Sequence, residues 1–286
     1  MQTANMQRDV REIIFSGLTG REFTAEILAD GEGILCGVAR LRAALAEAEI
    51  KAYWLRADGA EVTPGSVLAR IAGSAKQIAM AEEFAIGQLA KPSGIATAAR
   101  RAVQLAGGEM KIVCGAWKKM PPEMKQIVRQ AVACGGAAFR ITDQPFLYLD
   151  KNFVRMLGGI EPTLRAVKSI TDKLKVIQLK GQFASVAEEA LTATRNGADI
   201  LMIDTGELAD FTAAHEALRR AGCRQRVKLA FANGIQVEDI AGLRGRGIDI
   251  LDIGVGIIDA PLLDMKLEVA GTPAGTVGAL RATQSA

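Results

Sequence analysis

The chain has 286 residues, 49% hydrophobic and 23% charged, with a formal net charge of +3, a balance that fits a globular protein of one large or two ordinary domains with a sizeable core. No apolar run reaches the roughly 18 residues of a membrane-spanning helix, and there is no Lys/Arg block of the kind that binds nucleic acid. The four cysteines are far apart and form no C-x-x-C pair, which argues against a zinc site or disulfide framework, and the single histidine leaves little room for histidine chemistry.

Taken in chain order, the opening MQTANMQRDVREIIF has no apolar core or small-residue cleavage site and does not read as a signal peptide. With reduced cysteines, this points to the cytoplasm. EFTAEILADGEGILCGVA reads as two extended stretches around a turn at Asp30–Gly33. LRAALAEAEI is helical. KAYWLRADGAEVTPGSVLARIAG reads as strands broken at Asp58-Gly59 and Pro64-Gly65. A long helical pattern runs from Ser74 toward Leu105, interrupted at Pro92, Ser93 and Gly94. Residues 1–108 therefore read as an N-terminal α/β open-faced sandwich, joined by the C-terminal 266–286.

From 109 to 265 the pattern alternates. KIVCG, GAAFRI, FLYLD, KLKVIQL, DILMID, RVKLAFA and IDILDIG are short apolar strands, separated by amphipathic helices. That is the pattern of βα units around a parallel sheet, and the number of units favours a closed or nearly closed barrel. His215, in the helical stretch FTAAHEALRR, reads as a surface residue.

In a parallel βα barrel the site lies at the C-terminal ends of the strands. The residues following the successive strands are Lys118 and Lys119, Arg140, Asp150 with Lys151 and Asn152, Lys180, Asp204 with Thr205, Asn233-Gly234, and Gly254-Val255-Gly256. ANGIQVED and DIGVGIID are late-strand glycine turns that run into helices. They suit a phosphate through free N–H groups and the positive end of a helix dipole, or are ordinary βα turns. Asp204 can hold Mg²⁺ through an oxygen ligand, or cap the helix starting near Glu207. Lys118 and Lys119 are point-charge partners for phosphate, or a solvated basic turn. Pro121 and Pro122 suit the first turn of the following helix.

SGIAT at 93–97, AVACGG at 131–136, GADILMID at 197–204, GIDILDIGVG and LDMKLEV resemble segments of the quinolinate phosphoribosyltransferase (nicotinate-nucleotide pyrophosphorylase) family. The resemblance covers nearly the whole chain. It implies an open seven-stranded parallel α/β barrel plus an N-terminal α/β open-faced sandwich, working as a homodimer whose partner domain caps the barrel. It further implies transfer of ribose phosphate from phosphoribosyl pyrophosphate, with Mg²⁺, to a pyridine nitrogen of quinolinate, releasing pyrophosphate and carbon dioxide. Lys119, Arg140 and Asp204 would be the catalytic set, with Asp204 on the metal. Lys118, Phe139, Lys151, Asn233, Gly234, Gly254 and Gly256 would bind substrate.

The departures from the family are specific. Its Thr-Arg-Lys-Thr segment falls on Trp117–Met120, so Lys118 stands at an arginine. Its His-Arg pair falls on Phe139-Arg140, and its Glu-Arg pair on Glu82-Glu83. Its Lys-Asp-Asn-His segment falls on Asp150–Phe153 in swapped order. Its Asp-Asn falls on Asp204-Thr205 and its Glu-Ala-Ser-Gly on Ala230–Asn233. Its acid after the fourth strand is replaced between Gln178 and Gln182. A lysine cannot fork onto a carboxylate as arginine does, and a buried charge left without its partner costs about 3–5 kcal/mol. The acceptor side therefore no longer suits a diacid, and Phe139 makes it more apolar. Trp117 stacks on a ring or packs in the rim. The expected function is a phosphoribosyltransferase with an altered nitrogen-heterocycle acceptor, one with fewer carboxylates, quinolinate itself being the lesser option. The alternative is a degenerate dimeric relative that binds a phosphorylated ligand or a partner protein.

Overall fold

The structure, a computed structural model, describes residues 9–270. The described chain divides into two compact units, one of residues 9–94 with 262–270, the other Ile95–Pro261. The division falls inside one helix, Ala75–Ala106, and not at the 108–109 boundary expected from the change of pattern. An uninterrupted helical repeat carries no mark of where the units part. Residues 271–286, expected to join the first unit, lie outside the described residues.

The first unit is built on an antiparallel sheet in the order Met265–Val269, Phe23–Ala29, Val67–Gly73, Lys51–Leu55. Period-two alternation decides which face is covered. Ala25, Ile27 and Ala29 are fully buried, while Glu26 faces the other way and pairs with its register partner Arg70 at 2.7 Å. The helix Val38–Glu47 presents Val38, Leu41 and Leu45 to the buried face, at the spacing of one helical stripe. Ile78, Ala81, Ala85 and Leu89 from the long helix complete that core. Truncating Leu41 or Leu45 to alanine removes packing worth about 2–5 kcal/mol.

The expected interruption at Pro92–Gly94 is absent, and the helix runs through it. Ser93 is fully buried. Its Oγ accepts from the Cys36 N–H at 2.9 Å and donates to the Cys36 carbonyl at 3.3 Å. A proline costs a helix one backbone bond, but here the flanking residues are buried and held from outside.

The second unit carries a six-stranded parallel sheet in the order Lys111–Val113, Ile250–Asp252, Lys228–Ala232, Ile200–Ile203, Leu174–Leu179, Phe146–Leu149. Both faces are buried, which is why the strands read as near-continuous apolar runs. Val113, Val176, Ile200, Met202, Ala230 and Ile250 form the inner cluster. Leu201, Leu229, Phe231 and Leu251 point the other way and are also buried, Phe231 against the Phe211 ring of the helix Leu208–Arg220. Of seven expected strands, the second, GAAFRI, is reduced to a single parallel bridge between Val113 and Ala138. The Phe139 carbonyl, next available to extend that ladder, instead accepts from Trp117 Nε1 at 2.6 Å. The sheet therefore stays open between this segment and Phe146–Leu149, and the open-barrel-plus-sandwich class stands.

Candidate active site

Inward positions at the C-terminal ends of the parallel strands surround a cavity of about 600 Å³. Its walls are aromatic: Trp117, Phe139, Phe146 and Tyr148. Three cations reach it, each lying over a ring. The Arg129 guanidinium is 3.6 Å from the Trp117 ring centre, Arg140 is 5.2 Å from Phe146, and the Lys118 ammonium is 5.6 Å from Tyr148. None of the three is in an ion pair among the described residues. Stacking of this kind attracts a cation without neutralising it, so the charges remain available to an anion.

Local structure sets these positions. The segment after Lys111–Val113 is a 3₁₀ turn, Gly115–Lys119. Successive residues of such a turn are rotated by about a third of a circle, so Lys118 and Lys119 cannot both face the cavity. Lys118 lines it, and Lys119 is exposed beside it. Pro122 begins the helix Pro122–Cys134 that carries Arg129. Gly135, just beyond that helix, is required for packing: a Cβ there would sit 2.3 Å from the Ala96 carbonyl oxygen. The small residues of the SGIAT stretch thus serve helix contact. Trp117 is fixed on both sides, by Arg129 on its face and by Phe139 through its N–H, so the ring is a wall of the cavity rather than a free stacking platform.

Two acids lie on the lining. Asp150 caps the helix Lys151–Leu157, accepting from the Asn152 and Phe153 N–H groups at 2.7 and 3.2 Å. Asp252 Oδ1 accepts from the Gly115 N–H at 2.9 Å. Burial pushes the Asp252 carboxyl above its ordinary range, against the opposing pull of the Gly115 N–H and the lysine charges. Burial likewise raises the Tyr148 phenol, and the charges of Asp204, Asp252 and Asp150 add to it. Tyr148 therefore stays neutral at ordinary pH.

Of the sequence-predicted residues, Lys118, Phe139 and Arg140 line the cavity. Lys119 and Asp204 are not on its lining, although both charges reach Asp252. Asp204 is turned toward the neighbouring strand exit. Its Oδ2 accepts from Gln178 Nε2 and lies 3.3 Å from Lys180 Nζ, which also donates to the Asp204 carbonyl. It does not cap the following helix, whose N-cap position is Glu207. Lys151 is exposed, and its N–H donates to Gln178 Oε1 at 2.7 Å. Asn233 and Gly234 both take positive φ, 85° and 79°, and Asn233 Nδ2 donates to the Thr205 carbonyl at 3.1 Å. A Cβ at Gly256 would lie 3.4 Å from Gln236 Oε1, so the Asn233–Gln236 and Gly254–Gly256 turns adjoin one another, outside the cavity lining. Glu83 forms an ion pair with Arg11 in the first unit. His215 is half-buried at the surface, stacked on Phe211 beside Asp249, at the opposite end of the strands.

Asp252, Tyr148 and Arg129 were not among the expected site residues. For Asp252 and Tyr148 a signal existed: each occupies an inward position of its strand, two residues before the exit that was read. Arg129 comes from a helix, and no strand-exit reading could find it.

Among the described residues there is no group of three His, Cys, Asp or Glu side chains arranged for a metal. The donor set suits Mg²⁺ only in its substrate-borne mode, with one or two protein carboxylates and the remaining oxygens from phosphates and water. Asp204, expected to be that carboxylate, has its Oδ2 engaged by Gln178 and Lys180.

Residues 9–93 match the N-terminal domain of quinolinate phosphoribosyl transferase and residues 95–268 its C-terminal domain. The chain is 32% identical over 251 residues to a probable nicotinate-nucleotide pyrophosphorylase [carboxylating] of Archaeoglobus fulgidus, covering 87% of this chain and 95% of that one. It is 27% identical to the human nicotinate-nucleotide pyrophosphorylase [carboxylating], covering 86% and 82%. In fold it is similar to the nicotinate-nucleotide pyrophosphorylase of Ehrlichia chaffeensis, with a TM-score of 0.78, 17% identity and 92% of each chain covered. The two-domain match across the chain, together with the open barrel and its charged chamber, places this protein in the quinolinate phosphoribosyl transferase family.

Proposed function

We infer that the chain is a phosphoribosyltransferase of the quinolinate phosphoribosyltransferase type, an enzyme of pyridine-nucleotide formation that joins the ribose phosphate of phosphoribosyl pyrophosphate to a nitrogen heterocycle. The observation that carries this is the cavity at the strand ends, where three uncommitted cations lie against aromatic walls in a chain matched along its length by that family.

The chain's own groups divide the task. Lys118 and Arg140, with Lys119 at the mouth, offset the negative charge of pyrophosphate as it departs, which is the stabilisation such a transfer needs most. Asp204 would hold Mg²⁺, which when bound supplies charge neutralisation of the pyrophosphate. Lys151, the Asn233-Gly234 turn and the Gly254–Gly256 turn receive the sugar and its 5′-phosphate. Phe139, Phe146 and Tyr148 form the acceptor wall and exclude water. The reacting bonds are simple. The ring nitrogen's lone pair bonds to ribose C1 as the C1–O bond to pyrophosphate breaks, and pyrophosphate leaves with that electron pair. No histidine base is required for an acceptor nitrogen with a free lone pair.

A homodimer and a cytoplasmic setting belong to the same proposal, supported by the family resemblance. No described helix is long and apolar enough to cross a membrane. Calorimetric titration with phosphoribosyl pyrophosphate and Mg²⁺ tests the reading. Saturable binding, weakened at least tenfold by Lys118→Ala, is expected. Absence of donor binding would leave the degenerate alternative, a binder of some other phosphorylated ligand or of a partner protein.

A further inference from the structure

Resting on the transferase reading, we propose that Asp252 sets the acceptor class: the chamber takes a planar nitrogen heterocycle with at most one carboxylate and an N–H donor that the Asp252 carboxylate receives. Three features of the chamber lead there.

First, Asp252 lines the cavity with an oxygen to spare. Its Oδ1 is used by the Gly115 N–H, and Oδ2 has no hydrogen-bond donor among the described residues. The side chain is held rather than loose: a Cβ on Gly115 would come within 2.9 Å of Oδ2. A buried acceptor left without a donor selects for a ligand donor, because a ligand that covers it without satisfying it loses affinity.

Second, the positive charge is arranged for a single planar anion. The Arg129 guanidinium carbon lies 3.6 Å from the Trp117 ring centre, and its Nε is buried without a hydrogen-bond partner. A guanidinium donates in its own plane and grips a carboxylate edge-on. With the indole on one side, its terminal N–H groups are what a single carboxylate can reach.

Third, a second carboxylate has no comparable place. The remaining lining is aromatic or aliphatic, apart from Asp150, Asp252, and Lys118 and Arg140, which the transferase reading assigns to the departing pyrophosphate. An adjacent pair of ligand carboxylates would bring one of them toward an acid already strained by burial. With a monoacid or an amide the transfer balances without loss of carbon dioxide. The N–C1 bond forms, the C1–O bond breaks, pyrophosphate leaves, and the substituents of the ring are retained.

The test is calorimetric titration of the full chain with nicotinamide, nicotinate and quinolinate, each without donor, on the wild type and on Asp252→Asn. Asparagine keeps the oxygen that accepts from Gly115. In the wild type, nicotinamide, whose amide supplies the N–H, is expected to bind at least tenfold more tightly than nicotinate, which has none, and quinolinate is expected to bind weakest. In Asp252→Asn, nicotinamide weakens and its gap to nicotinate narrows at least tenfold. Nicotinate or quinolinate binding as tightly as nicotinamide in the wild type, binding of none of the three, or unchanged ratios in the variant would each overturn the proposal. Asp252→Ser serves as the second variant if the first does not fold. Donor binding and pyrophosphate release are measured separately, so their loss sinks the transferase reading while the acceptor ratios are still read.

Discussion

The two ends of the parallel sheet are built on opposite plans. At the N-terminal ends of the strands the buried charges are tied into the fold. Asp249 accepts from Arg224 at 2.7 Å and from the Leu229 N–H at 2.8 Å, and Asp199 accepts from the Lys175 N–H at 2.7 Å. At the C-terminal ends, Lys118, Arg129 and Arg140 lie over rings without a carboxylate, and burial holds Asp252 out of its ordinary range. One end has been completed for stability. The other carries charge that only a ligand completes, which is the division of labour expected of this architecture.

The largest effect should come from breaking the completed end. Asp249→Ala strips the partner from Arg224, whose side chain is only 13% exposed, and leaves the Leu229 N–H unmet. Urea unfolding should show a loss of about 3–5 kcal/mol, with donor affinity unchanged within twofold. Next comes Gly115→Ala, whose methyl would collide with Asp252 Oδ2. Overpacking of this kind costs about 1–3 kcal/mol, and acceptor binding should fall with stability, because the side chain it displaces belongs to the chamber.

How much of this contrast could be read in the sequence depends on the kind of signal. The alternation of apolar strands with amphipathic helices marked the barrel, because a strand buried on both faces must be apolar throughout. Lys118 and Arg140 were legible as residues at strand exits, and Phe139 through the family resemblance. Asp252 was not, because it lies within the strand IDILD rather than after it, at an inward position that only the strand's alternation marks. Nor was the choice between Lys118 and Lys119, which the turn geometry of Gly115–Lys119 makes. Pro92 misled because local helix chemistry was outweighed by tertiary contacts around Ser93.

Smaller effects sharpen the comparison. Lys118→Ala should change stability by no more than about 0.5 kcal/mol, since the exposed side chain makes no ion pair or hydrogen bond among the described residues, yet donor binding should weaken tenfold. Asp252→Asn should act in the unusual direction. A carboxyl whose folded pKa is raised opposes folding at pH above that value. The penalty is relieved as pH falls through the raised pKa toward the ordinary 3.8. The variant should therefore be slightly more stable than the wild type at pH 7, and the two should converge in acid, as followed by thermal unfolding across pH.

The most direct test of the chamber as a phosphoribosyl-transfer site is pyrophosphate release by the purified full-length chain, with phosphoribosyl pyrophosphate, Mg²⁺ and one acceptor at a time. Release with nicotinate or nicotinamide that exceeds release with quinolinate, and falls at least tenfold in Lys118→Ala, is the predicted result. No release with any acceptor, in a protein that also fails to bind the donor, would contradict it.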